Sequence, residues 1–436
     1  MIKPVVDHKP HVIIKQAHVV DPANGIDGVL DIELKEMEIV RWGKQLDHPQ
    51  AEIIQAKGLV LMPGFLDLHV HFRDPGFEHK ETIQSGVQAA IYGGFVGCVT
   101  MPNTKPACDN SQIVKYQIER GEQFGFNIFP AGTLTQGREG KKISEMAEMK
   151  ASGAVAVSDD GTWVQDSGVA RRAYEYAATY DLLIMSHAED CCLSMHGSMN
   201  EGVVSTKLGL RAVPNAAEDV ATARDVEIAR LTGCRLHICH VSTRQAVETV
   251  RRAKADGIKV TCEVTPHHLA LTDESFMDYD TNFKMNPPLR TEADRQAVIR
   301  GLEDGTIDAV ATDHAPHAAE EKAQDVESAP PGVIGLESAF GVVMTELYHG
   351  RKWKLADIVK ILSLKPGEII GNSQLGRLVT GVPANFVLAD PCHTWQFDES
   401  HIHSKSKNSC FLGKKLKGKV LHTFVNGTHY DLNGGK

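Results

Sequence analysis

The chain is organised around the stretch Asp67-Leu68-His69-Val70-His71-Phe72-Arg73-Asp74-Pro75-Gly76, which follows the apolar run 59–66. Side chains alternate between the two faces of a strand, so a strand here presents His69 and His71 on one side at its carboxyl end. Two neighbouring imidazoles suit a metal ion, although a His-x-His pair alone is a weak signal. The stretch therefore predicts a strand that ends in two metal ligands, provided that further ligands lie elsewhere in the chain.

Ligand-type residues recur after four other short aliphatic runs. These segments are Ser158-Asp159-Asp160-Gly161, Ser186-His187-Ala188-Glu189, Cys239-His240-Val241-Ser242 and Thr312-Asp313-His314-Ala315-Pro316-His317. Residues on unrelated loops would not fall repeatedly at the carboxyl ends of strands unless those ends faced a common centre. The pattern indicates a single site assembled from several strands.

The order of strand-like and helix-like segments predicts the fold. Strand candidates lie near 63–71, 95–102, 126–133, 153–158, 182–186, 235–240, 258–265 and 307–312. Helix-like segments alternate with them at 80–92, 111–121, 168–180, 216–232, 243–256 and 291–303, and Ser167 and Thr291 are candidate N-caps. Eight strands alternating with helices favour an α/β fold of the TIM-like (β/α)8 barrel type. A doubly wound open sheet is the alternative, but no Gly-x-Gly-x-x-Gly or phosphate-binding loop follows the first strand.

Both ends of the chain have strand character without helices. Runs such as 28–34 and 384–390 alternate between apolar and polar side chains and are bounded by Gly, Asp, Asn or Pro. Neither end offers enough strands to be stable alone, so we expect one small flanking β-sandwich built from both termini. The predicted domains are residues 1–58 with 376–436 for this composite sandwich, and residues 59–375 for the catalytic barrel.

Composition excludes several classes of protein. The chain has 436 residues, 42% of them hydrophobic, and a formal net charge of -10, whereas binding nucleic acid or an anionic membrane requires a basic face. No apolar run approaches the roughly 18 residues of a membrane span. The nine cysteines are scattered and form no Cys-x-x-Cys motif, so we expect a reduced, cytoplasmic protein. The expected partner is a small molecule, with no nucleic acid and no membrane.

The residues at the strand ends make up a candidate metal centre. They are His69, His71, Asp160, His187, His240 and Asp313. Four imidazoles and two carboxylates exceed the needs of one tetrahedral zinc and suit two metal ions that share a bridge. A bridging hydroxide would serve as the nucleophile, and Asp313 could accept its proton as the general acid/base. The bridging carboxylate is Asp159 or Asp160, because alternation lets only one of the two face the centre.

These motifs, together with Met101-Pro102-Asn103-Thr104 and Asn286-Pro287-Pro288-Leu289-Arg290, resemble the dihydroorotase family of the amidohydrolase superfamily over nearly the whole chain. The resemblance implies a barrel with a composite sandwich and the reversible cyclisation of N-carbamoyl-L-aspartate to dihydroorotate in pyrimidine biosynthesis. It is closest to the bacterial class in which an aspartate bridges the metals, and the family spacing selects Asp160. No lysine lies at that strand end, so a carboxylated-lysine bridge is disfavoured.

The substrate of such an enzyme carries a carboxylate, for which arginine and amide donors are fitting partners. Arg73 and Asn103 are the candidates from the sequence, and the resemblance adds Asn286, His317, Pro331 and Gly332. The alternatives are a hydrolase of neutral cyclic amides, which has no use for Arg73, and a non-catalytic scaffold, which would have lost ligands. The resemblance further implies two Zn²⁺ per subunit, with Mn²⁺ or Co²⁺ as substitutes, and suggests a homodimer that can associate with aspartate transcarbamoylase.

Overall fold

A computed structural model describes residues 2–5 and 8–433 of the chain. Eight parallel strands form a barrel in chain order, and the barrel closes where Val70 of the first strand pairs with His314 beyond the last. These strands are Phe65–Val70, Phe95–Thr100, Asn127–Gly132, Ala156–Val157, Leu183–Ser186, Leu236–Ile238, Val260–Val264 and Ala309–Val310. All eight predicted strands are present at their predicted places, which confirms the (β/α)8 barrel.

The strands of both termini join in one further sheet. They are His11–Asp21, Ile26–Lys35, Glu38–Gly43, Glu52–Gln55 and Val60–Pro63 from the N-terminal end, and Phe386–Gln396, Lys415–Val425 and Thr428–Asp431 from the C-terminal end. Val60–Pro63 lies between His11–Asp21 and Phe386–Gln396, and so joins the two ends of the chain by hydrogen bonds. Residues such as Leu34, Leu61, Phe386 and Phe424 form the apolar core of this sheet.

The α-helices surround the barrel and connect its strands. They are Ile83–Gly93, Ser111–Gln123, Met146–Ala151, Ser167–Thr179, Cys191–Ser194, Val203–Leu208, Ala216–Thr232, Arg244–Ala255, Pro266–Ala270, Glu292–Glu303, Ala319–Lys322, Ala339–Val343, Leu355–Val359 and Lys365–Ile369. Thr291 caps its helix as predicted, because its side chain accepts the N–H of Asp294. The predicted cap Ser167 is instead the first residue of the helix Ser167–Thr179. The N-cap of that helix is Asp166, whose side chain accepts the N–H of Val169.

The first barrel strand departs from regular alternation. Its pairing with the second strand shifts between Asp67 and Val70, where Leu68 and His69 face the single residue Val99 on the neighbour. Such a bulge re-aims side chains and is common beside active sites. No helix among the described residues has the length and apolar character needed to cross a bilayer.

Candidate active site

The barrel brings the six predicted ligand residues together at the carboxyl ends of its strands. Each of their side chains is buried, with at most 6% of the residue surface exposed. His69 Nε2 lies 3.2 Å from Asp160 Oδ1, and His71 Nε2 lies 2.9 Å from Asp313 Oδ1. On the opposite side, His187 Nδ1 lies 2.9 Å from His240 Nε2. Six side chains from five separate points of the sequence therefore point their donor atoms at one small volume.

Asp160 belongs to two groups of potential ligands. Its carboxylate lies with His69 and His71 in one group and with His187 and His240 in the other, and the donor atoms of each group lie within 4.8 Å of one another. Asp159 is directed away from this centre, because its Oδ1 accepts the backbone N–H groups of Leu134 and Thr135 at 2.9 and 3.0 Å. Of the two adjacent aspartates, only Asp160 belongs to both groups of potential ligands.

The electrostatics of the centre favour positive charge. Burial lowers the pKa of His69, but the carboxylates of Asp160 and Asp313 more than compensate and raise it well above the ordinary value. In the same way Asp160 raises the pKa of His187 to about 10 against the effect of burial. Burial would raise the pKa of Asp160, yet the neighbouring imidazoles hold it well below the usual range. The carboxylates therefore favour positive charge at this centre, whether protons on the imidazoles or a metal cation supply it.

Unsatisfied atoms show that this donor set fits a metal. His69 Nε2 and Asp160 Oδ1 are buried and make no hydrogen bond within the described part of the chain. A buried polar atom without a partner is costly, and binding an ion would satisfy both atoms. Imidazole nitrogens and carboxylate oxygens are also the donors preferred by zinc, manganese and cobalt. The centre therefore has the composition and the unmet bonding capacity of a metal site.

The outer nitrogen of three imidazoles is held by an oxygen atom. Glu263 Oε1 lies 3.2 Å from His69 Nδ1, Asn103 Oδ1 lies 2.9 Å from His71 Nδ1, and Glu189 Oε2 lies 3.0 Å from His187 Nε2. An acceptor at one ring nitrogen fixes the tautomer and directs the other nitrogen to the metal. Sequence reasoning missed Glu263 and Glu189. Glu189 follows His187 by two residues, which was an available signal, whereas Glu263 comes from a different strand.

Three of the site residues have a left-handed backbone. The φ angles are 61° for Arg73, 35° for His240 and 49° for Asp313. Such conformations are uncommon for residues with a Cβ atom and are concentrated at functional sites, where the surrounding structure holds them. The chain thus turns sharply at each of these three residues, shortly after the end of a barrel strand.

The predicted substrate-binding residues line a cavity of about 180 Å³ beside the ligands. The lining includes Arg73, Asn103, Asn286, His317, Pro331 and Gly332. Arg73 Nη2 lies 3.4 Å from His317 Nε2, which also lies 2.9 Å from the carbonyl oxygen of Pro331. Burial lowers the pKa of Arg73 to about 10 and that of His317 to about 2, so at neutral pH the arginine is charged and the histidine is neutral. Asn286 donates to Glu189 Oε2 at 2.6 Å.

Other residues near the centre have structural partners. His314 Nε2 lies 3.4 Å from Glu81 Oε2, and His268 Nε2 contacts the carbonyl oxygen of Pro287. Burial raises the pKa of the Cys239 thiol to about 12, so the sulfur is protonated although it lies near His69. His314 and His268 are thus held by partners outside the six ligand residues.

Comparisons with known proteins place the chain in a family. A model described as "Dihydro-orotase-like" matches residues 58–246. Dihydroorotase from Acetivibrio thermocellus is 44% identical over 95% of this chain and 97% of its own length. Dihydroorotase from Geobacter metallireducens is 47% identical over 96% of this chain and 98% of its own length. The chain belongs to the dihydroorotase family.

Solved structures named as hydantoinase or dihydropyrimidinase share the fold of this chain. L-hydantoinase (dihydropyrimidinase) from Arthrobacter aurescens has a TM-score of 0.86 at 24% identity and covers 97% of this chain and 96% of its own. Dihydropyrimidinase from Brevibacillus agri has a TM-score of 0.84 at 22% identity and covers 96% and 94%. At this level of identity the likeness establishes the fold alone, whereas the dihydroorotase relatives establish the family.

Proposed function

We propose that this chain is a metal-dependent enzyme that interconverts dihydroorotate and N-carbamoyl-L-aspartate, by opening and closing one cyclic amide bond, in pyrimidine biosynthesis. The observation that carries the proposal is the position of Asp160, shared by two ligand groups next to a cavity lined by Arg73. Near full-length similarity to proteins named dihydroorotase supports it independently.

In this proposal His69, His71, Asp160, His187, His240 and Asp313 hold two Zn²⁺ ions, for which Mn²⁺ or Co²⁺ can substitute. Such ions, when bound, act as Lewis acids that polarise the amide carbonyl and lower the pKa of water. Asp160 is the shared ligand. Glu263, Asn103 and Glu189 orient three of the histidines through the ring nitrogen that faces away from the centre.

Asp313 is the proposed general acid/base. Burial would raise its pKa, but the charges of His69 and His71 hold that pKa well below its ordinary value, so the side chain is a carboxylate at neutral pH. In the hydrolytic direction it accepts a proton from the attacking water and returns it to the leaving ring nitrogen. In the direction of cyclisation the same carboxylate removes a proton from the carbamoyl nitrogen.

Arg73 and His317 are proposed to bind the carboxylate that both substrate and product carry. Among the described residues, Arg73 Nε donates to the carbonyl oxygen of Pro316 at 3.3 Å and Nη2 lies 3.4 Å from His317 Nε2. The other N–H groups of the guanidinium are proposed to bind the substrate carboxylate. Asn103, Asn286 and the backbone at Pro331 and Gly332 complete the proposed contacts. A neutral ring without a carboxylate would leave the buried charge of Arg73 without a partner, which favours dihydroorotate over hydantoin.

The test is a steady-state assay with dihydroorotate, N-carbamoyl-L-aspartate and hydantoin, before and after removal of metal by a chelator. We expect activity on the first two compounds, loss of activity with the metal, and recovery when Zn²⁺, Mn²⁺ or Co²⁺ is added to two ions per chain. Turnover of hydantoin without turnover of dihydroorotate would contradict the proposed specificity. A fully metal-loaded protein inactive on all three compounds would contradict catalysis altogether.

Three further proposals concern the domains, the assembly and the location of the protein. The domains are residues 1–58 with 376–436 and residues 59–375; the enzyme forms a homodimer that associates with aspartate transcarbamoylase; and it acts in the cytoplasm. Light scattering of the purified protein, alone and mixed with the transcarbamoylase, tests the two assembly proposals.

A further inference from the structure

A segment from the C-terminal end of the chain lies against the mouth of the barrel. Residues 403–408 belong to no helix or strand, and burial alternates along them, with Ser404, Ser406 and Asn408 buried and Lys405 and Lys407 exposed. The Ser404 hydroxyl donates to Glu81, and the Ser406 hydroxyl donates to the carbonyl oxygen of Lys80 at 2.7 Å. The segment is therefore fixed to the loop that follows the first barrel strand.

Asn408 uses every hydrogen-bonding position of its side-chain amide on the two loops beside the cavity. Its Oδ1 accepts the backbone N–H of His317 at 3.2 Å. Its Nδ2 donates to the carbonyl oxygens of Ala315 at 3.1 Å and Gly332 at 3.0 Å. Its own carbonyl oxygen accepts the N–H of Ile334 at 2.9 Å, and the residue is only 4% exposed.

These contacts fix the spacing between the two loops. The loop at 315–317 carries the His317 imidazole, and the loop at 331–334 brings Gly332 so close that a Cβ atom there would lie 3.0 Å from His317 Nε2. An amide supplies one acceptor and two donors in a fixed plane, which is the set that these three backbone groups require. A carboxylate, a hydroxyl or an apolar side chain leaves at least one buried carbonyl group without its donor.

We propose that Asn408 is a positioning residue that holds His317 and Gly332 at the end of the site that binds the substrate carboxylate. The inference rests on the proposed function, since it assigns Asn408 an effect on that substrate through His317. Asn408 lies outside the catalytic barrel as delimited from the sequence, so the C-terminal segment completes the active site. Because Asn408 touches none of the six metal ligands, its loss should alter substrate affinity and leave metal binding intact.

The test compares Asn408→Ala and Asn408→Asp with the wild type and with the control Asn433→Ala, an exposed residue of the same terminal region. Measured quantities are KM and kcat for dihydroorotate, metal content and the thermal midpoint. We expect KM to rise roughly tenfold in both Asn408 variants, with kcat within about threefold of the wild type and two ions still bound. Asn408→Asp keeps the acceptor for the His317 N–H and loses both donors. A raised KM in this variant therefore shows that the two donated hydrogen bonds are required.

Several outcomes would overturn the inference. Unchanged KM in a folded variant, or an equal fall in kcat with loss of metal, would mean that Asn408 does not act on substrate affinity. If Asn408→Ala does not fold, Asn408→Ser replaces it in the same assays. A wild-type enzyme inactive on dihydroorotate would refute the proposed function and this inference together, whereas an active wild type with unaffected variants would refute the inference alone.

Discussion

Replacing Glu263 with glutamine tests whether a carboxylate inside the barrel sets the metal affinity of the centre. Glu263 is fully buried, with Oε1 3.2 Å from His69 Nδ1 and Oε2 3.1 Å from His237 Nε2. Burial opposes its ionisation, yet these two imidazoles lower its pKa from 4.5 to about 2. The glutamine side chain is almost identical in shape, but it removes the charge and replaces one acceptor oxygen with an NH2 donor.

The direction of the effect follows from the pKa of Glu263, which its two imidazole neighbours lower against the effect of burial. Carboxylates that orient a metal-binding histidine typically change metal affinity by about 10- to 100-fold, or about 1.4–2.7 kcal/mol. Glu263→Gln should therefore weaken binding of the ion held by His69 by up to about 100-fold.

The assay is a competition between the protein and a chromophoric chelator, which measures the affinity of each of the two ions. Glu337→Gln is the matched control, because Glu337 is also buried but accepts backbone N–H groups of His403 and Ser404 instead of binding a histidine. We expect the control to keep wild-type metal affinity. Equal affinities for Glu263→Gln and the wild type, in folded protein, would refute the orienting role of Glu263.

Three other predictions concern catalysis, close packing and pH. Asp313→Asn should lower kcat by about 10²–10⁴-fold through loss of the proton acceptor, with metal content measured on the same sample; a kcat near that of the wild type would exclude Asp313 as the acid/base. Gly332→Ala places a Cβ 2.8 Å from that of Ala315 at a φ of +132°, so KM should rise and the thermal midpoint should fall, and unchanged values would show that the loop can relax. Burial, with His422 and His8 nearby, lowers the pKa of His429 to about 3, so the unfolded chain gains a proton below about pH 6.5 and stability falls as pH decreases. Urea unfolding at pH 7 and pH 5 should give a loss about 2 kcal/mol smaller for His429→Gln than for the wild type or the exposed-site control His393→Gln, and equal losses would contradict a neutral His429.

The barrel was predictable because its strands repeat one local pattern. Each is a short apolar run that ends in polar residues and is followed by a helical segment, as in Leu183–Ser186 before His187. Helix ends were less certain, since Asp166 and Ser167 are both capping residues and only the side chain that reaches the Val169 N–H decides between them. The bulge between Asp67 and Val70 had no sequence signal, because it depends on the pairing of two strands.

The six proposed ligand residues could be named from the sequence because they lie shortly after strands, and the barrel brings their side chains together. Residues that act on these ligands from other elements were not predictable. Glu263 reaches His69 across 194 positions of sequence, and Asn408 reaches His317 across 91. Periodicity describes which face of an element is buried, whereas these contacts depend on how separate elements meet in space.

The interleaving of the two ends of the chain in one sheet bears on how the protein is made. During synthesis the strand Val60–Pro63 emerges more than 300 positions before Phe386–Gln396, its neighbour in the finished sheet. Until then the strand has no partner on the edge that Phe386–Gln396 will occupy, and closing so long a loop is slow. Asn408 leaves the ribosome later still, so the contacts that it makes to the loops of His317 and Gly332 are among the last that the chain can complete.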